Sequence, residues 1–192
     1  MRKILTLIVA CVVFAGVASA QSDSFKSFRV DAGLLYAIPG GDALDAGVGY
    51  YLNPKYQITD NILLGAKVEG AVMGSADEDA FDVSAVVSYA ATFDYYFNTN
   101  SFRPFVGMDA GIYSLGSIEF DSNQNFAGGS TLEINEDHDL GSKFGIAPKV
   151  GFSYGHFDMA LQYNLIFGQE KGYDEYNYMS VKVGFHFGGG KK

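Results

Sequence analysis

The chain has 192 residues, among them 24 glycines, 16 phenylalanines and 13 tyrosines, with one cysteine and a formal net charge of −9 at neutral pH. An acidic chain repels nucleic acid, and a lone cysteine excludes both a disulfide framework and a thiolate metal centre. The length suits one domain, and after residue 20 no low-complexity linker or long apolar helix divides it.

The first element is MRKILTLIVACVVFAGVASA, residues 1–20: two basic residues, an apolar run from Ile4 to Val17, and the small triplet Ala18, Ser19, Ala20. This is the pattern of a secretory leader cut after Ala20. Ile8 to Cys11 resembles a lipoprotein box, but it falls early in an apolar run that continues past it, so ordinary cleavage is expected. Removal of the leader takes Arg2, Lys3 and Cys11 with it and moves the net charge to about −11 in a single domain spanning residues 21–192.

Eight segments with alternating apolar positions follow, at residues 27–37, 46–58, 62–73, 83–97, 104–114, 143–154, 157–167 and 177–187. They exceed the ~5–6 residues of an ordinary globular strand and reach the ~9–11 that a tilted strand needs to cross a bilayer. The connections alternate in size. Short ones lie at 59–61, 98–103 and 155–156, and long ones at 38–45, 74–82, 115–142 and 168–176. Short turns at one end and long loops at the other are the habit of outer-membrane barrels, with the turns in the periplasm. The expectation is an all-β fold, an eight-stranded antiparallel up-and-down transmembrane β-barrel.

The two faces of the segments differ. One is large and apolar, as in Phe28, Leu34, Tyr50, Tyr89, Phe93, Val150, Phe185 and Phe187, with aromatics crowding the strand ends like an interfacial girdle. The other carries Gly33, Gly49, Gly65, Gly107, Gly111, Gly145, Gly151 and Gly184 with Ser88, Ser153 and Ser180. A water-facing surface bristles with long charged side chains, whereas repeated glycine suits a crowded lumen, so the small face points inward. It also carries the cations Arg29, Lys55, Lys67, Lys149 and Lys182 and the anions Asp31, Glu69, Asp94, Asp109 and Asp158. Charges of nearly cancelling sign persist in a narrow lumen only if paired or hydrated, so these ten predict a structural charge network. Asp158 is expected to pair with Lys149 or Lys182.

The stretches YYLNPKYQITDNILLGAKVEGA, FRPFVGMDAGIY, FGIAPKVGFSYGHFDMALQYNLIF and YMSVKVGFHF together span most of the chain after the leader. In order and turn spacing they resemble the small OmpA- and OmpX-like outer-membrane barrels, and the outer-membrane β-barrel or porin-family proteins of Bacteroidetes-type bacteria. The resemblance implies the outer membrane of a Gram-negative cell envelope, with outer-membrane lipids and lipopolysaccharide as surroundings. It also implies insertion by the barrel assembly machinery, with Phe185 and Phe187 on the closing strand that the machinery reads. Such chains often end on that aromatic, whereas this one continues GGGKK, expected as a flexible periplasmic end. The peptidoglycan-binding domain that OmpA-like proteins often add is not expected here.

Within the third long connection, Glu133, Glu136, Asp137 and Asp139 flank His138 and could offer oxygen ligands to a divalent cation. The ordered D-x-D-x-D-G spacing of a calcium loop is missing, so a solvated acidic loop is expected. Fifteen of the 22 acidic residues fall in the four long connections, where Lys171 is the only lysine or arginine. An extracellular protein or a divalent cation is the partner such loops would suit. His138, His156 and His186 form no H-x-S pair of the lipid-deacylase kind, so no enzyme activity, cofactor or catalytic residue is expected. The function read from these features is a monomeric structural or surface-interaction barrel with a closed polar lumen. The alternative is a narrow porin-like channel for ions or small solutes, which eight strands disfavour because open channels come with about 16–18.

Overall fold

The computed structural model describes residues 24–41, 45–74, 82–119, 142–168 and 177–192. Alternation becomes eight strands: β1 (Phe28–Pro39), β2 (Gly47–Gln57), β3 (Ile62–Gly74), β4 (Asp82–Tyr96), β5 (Phe102–Glu119), β6 (Ser142–Tyr154), β7 (Phe157–Ile166) and β8 (Tyr178–Gly188). Each pairs antiparallel with its successor and β8 returns to β1, closing a barrel. Closure satisfies every edge, which is what lets a sheet stand without water on its rim. The leader and the loop residues Glu133, Glu136, Asp137 and Asp139 lie outside the described residues.

Strand positions match the alternating segments closely, with one difference. β5 runs to Glu119, in register with β4 from Asp82↔Glu119 to Tyr96↔Phe105. In SLGSIE, residues 114–119, glycine and serine interrupt the apolar alternation, but the backbone ladder does not need it to continue. Asp82 and Glu119 therefore end strands instead of sitting within loops.

Three short turns gather at one end. The 155–156 turn begins on Gly155, whose φ of +59° is costly for any residue with a Cβ. At the first turn, the Thr59 hydroxyl accepts from the amides of Asn61 and Ile62, and the Asn61 side chain donates to the Tyr96 carbonyl at 2.6 Å. These contacts fix β2, β3 and β4 at their lower ends.

The outer wall is apolar from end to end. Leu34, Leu52, Val106, Val150 and Leu161 are exposed around its middle. Phe28, Phe97, Phe102, Tyr154, Phe185 and Phe187 ring the turn end, and Tyr36, Tyr50, Phe144 and Phe167 the loop end. A wall of this kind faces lipid, because in water it would be a patch far beyond the few hundred Å² that soluble chains tolerate.

The GGGKK tail departs from expectation. Gly188 and Gly189, at φ +78° and +64°, turn the chain off β8, and Lys191 then forms a β-bridge with Phe25. The Lys26 amide donates to the Gly190 carbonyl at 2.9 Å and the Lys192 amide to the Ser24 carbonyl at 3.0 Å. Ser24 in turn donates through its hydroxyl to Asp60 at 2.8 Å. Left-handed glycines and these backbone bonds tie the tail to the amino-terminal segment, so it is not a loose end.

Candidate functional site

Strand alternation aims every second residue of each strand inward, and the ten charges predicted for the lumen all lie there, with side chains 9% exposed or less. They form one continuous line of alternating sign. It starts at Asp158 on β7, which accepts from Arg29 on β1 at 2.8 Å. Arg29 also forks onto Asp31, with Nη2 at 3.1 Å. Lys55 on β2 joins Asp31 to Asp94 on β4, at 2.6 Å from each. Lys149 on β6 continues from Asp94 at 2.7 Å to Asp109 on β5 at 2.6 Å. Lys67 on β3 lies 2.8 Å from both Asp109 and Glu69, and Glu69 ends the line on Lys182 of β8.

Asp158 is not paired with Lys149 or Lys182. It sits second in β7, beside Gly184, whereas Lys182 is level with Ala160 and Lys149 with Gln162, both higher in the barrel. Arg29, low on β1, is at the right height and long enough to reach it. His186 closes this end, with Nδ1 2.7 Å from Asp158 Oδ2, and the Ser153 hydroxyl donates to the other carboxylate oxygen.

Glycine makes room for the line. A Cβ on Gly107 would land against the Asp94 carboxylate, the Phe93 carbonyl and the Lys149 side chain. Neutral groups bond to some of the charges. Gln162 accepts from Lys182 at 2.6 Å and donates to Asn164 at 2.7 Å, while Tyr178 donates to Glu69 and Tyr113 to Asn164, each at 3.0 Å.

Above and below, the lumen turns apolar, a feature the small-or-polar reading of the inner face missed. At the loop end Leu35, Ala37, Ala71, Met73, Val86 and Ile166 pack with the rings of Tyr113 and Tyr178. At the turn end Leu63, Tyr96 and Phe105 form a second layer, with Arg103 stacked 4.4 Å above the Tyr96 ring and 4.1 Å from that of Phe25. The signal was present, since inward parity assigns Leu35, Tyr96 and Tyr113 to the lumen. Between the layers the space left among the charges is about 30 Å³, room for roughly two waters.

Chemically the line compensates its own charge, five cations against five anions. Asp31, Asp158 and His186 bring donor atoms within 4.8 Å of one another, but the Arg29 guanidinium already bonds both carboxylates where a cation would sit. Ser153, Asp158 and His186 are the residue types of a hydrolytic triad in the wrong order. The aspartate stands between serine and histidine, so the imidazole cannot take the hydroxyl proton.

No protein-family model and no curated protein matches the chain. Solved structures do. The outer membrane protein OprG from Pseudomonas aeruginosa superposes with a TM-score of 0.56 at 16% identity, over 88% of this chain and 99% of that one. Neisserial surface protein A superposes with a TM-score of 0.51 at 15% identity, over 83% of this chain and 94% of its own. Such identities speak to fold. Closed, antiparallel throughout and apolar on its outer wall, the chain has the fold of the small eight-stranded outer-membrane β-barrels.

Proposed function

We propose that the protein sits in the bacterial outer membrane as a closed, monomeric barrel with a structural or surface-interaction role and no catalytic activity of its own. The observation that carries this reading is the unbroken line of ion pairs between two apolar layers. An ion crossing it would have to shed water at Leu35 and Met73, part charges held at 2.6–2.8 Å, and pass the Tyr96 and Phe105 rings. Separating a buried pair costs several kcal/mol for each stranded charge, on the order of a thousandfold in rate for every ~4 kcal/mol.

On this reading the wall contacts outer-membrane lipids and lipopolysaccharide, the barrel assembly machinery inserts it, and the acidic loops meet an extracellular protein or a divalent cation. The residues 1–20 leader, removed on export, delivers the chain. Purified barrel reconstituted in planar bilayers is expected to show no discrete conductance steps across voltage. Regular steps that disappear with Leu35→Trp would establish the narrow channel instead.

A further inference from the structure

At the turn end, below the Tyr96 layer, lies a second cavity of about 210 Å³. Arg29, Arg103, His156, His186 and Lys191 line it, and among the described residues no acidic side chain does. In a chain of net charge −9, five basic groups around one small space are a local reversal of sign. Arg29 and His186 are answered by Asp158 from behind. Arg103 lies within electrostatic reach of Asp60 and Asp158. Its Nε and Nη2 donate to the backbone carbonyls of Asn98 and Asp60, at 3.1 and 2.7 Å, and neither of these bonds uses its Nη1. His186, 5% exposed, spends Nδ1 on Asp158 and leaves Nε2 without a partner among the described residues.

The bridge between Phe25 and Lys191 brings the Lys191 side chain to the rim, so the tied-down tail completes the cavity wall with Gly189 and Gly190. A guanidinium and an ammonium converge on one space, and each imidazole, its Nδ1 turned to an oxygen, has Nε2 left to donate as the cation or to accept from a phosphate hydroxyl as the neutral ring, a set that suits a tetrahedral oxyanion. The volume falls below the ~300 Å³ at which pockets for larger organic ligands begin, which limits the guest to a small anion.

We propose that this cavity binds a phosphate group, carried either by a small soluble ester or by a lipid headgroup reaching under the rim. The test uses the refolded full barrel in zwitterionic detergent, titrated with inorganic phosphate and with glycerol 3-phosphate against chloride at matched ionic strength. NMR of the His156 and His186 rings and of Arg103 Nε reads the site. Saturable shifts with both phosphates, weakened at least fivefold by Lys191→Gln or His156→Gln, are expected. Both substitutions lie outside the ion-paired line and leave folding, checked by heat-modifiable gel migration, intact. Nanodiscs separate the sources: the same shifts in phosphatidylglycerol but not phosphatidylcholine, without added phosphate, assign a headgroup, and shifts with soluble phosphate alone assign a solute. Shifts that chloride reproduces, that never saturate, or that both substitutions leave unchanged overturn the proposal.

Discussion

Asp158 is the residue at which the lumen's electrostatics are most exposed to test. It holds Arg29 at 2.8 Å and His186 at 2.7 Å, so Asp158→Leu leaves the lumen one buried positive charge in excess, with Arg29 sharing Asp31 with Lys55. The expected loss is about 3–5 kcal/mol in urea unfolding from lipid vesicles, and Arg29→Met in the same chain should recover part of it because the opposed charges leave together. An unchanged midpoint would show that the pair carries no stability. That the ten charges face inward was legible from parity alone, since each falls on the glycine-bearing face. Their partners were not legible. Pairing depends on strand stagger, which places Asp158 a layer below Lys149 and Lys182, and alternation carries no information about height.

At the scale of the strand, β6 shows how one residue step separates two solvents. Val150 is 53% exposed on the lipid side, while its neighbour Lys149 is held between Asp94 and Asp109. Val150→Arg should lower stability by about 2–4 kcal/mol in a bilayer, the cost of an arginine near the midplane of a barrel wall. Comparing unfolding in vesicles with unfolding in short-chain detergent checks this, because the penalty should shrink where water reaches the wall. Strand existence was plain in the sequence wherever the two faces contrast. The contrast between faces, but not the strand, faded where both carry apolar residues, as in Leu34 and Leu35, one outside and one in the loop-end layer, and so the apolar layers escaped notice. The tail was hidden for a different reason: GGGKK has no pattern, and its path depends on left-handed glycines and a partner segment at the other end of the chain.

For the whole molecule, the ion pairs and apolar layers among the described residues are built from the eight strands and the turn end. Deleting residues 121–140, which include Glu133, Glu136, Asp137 and Asp139, should therefore leave barrel formation and heat-modifiable migration unchanged. Failure to form the barrel would contradict this division.

The line of ion pairs also has a bearing on how the barrel can assemble. It touches all eight strands, and several links, such as Asp94 on β4 to Lys149 on β6 and Lys182 on β8 to Glu69 on β3, join strands that are not neighbours in the sheet. No hairpin can form those links by itself. A half-built sheet carries its lysines and carboxylates unmatched, and they must stay wetted until β8 meets β1. Dehydration of the interior is then the last event of insertion, and a chain unable to seal its final seam is left with a hydrated cleft open to the membrane.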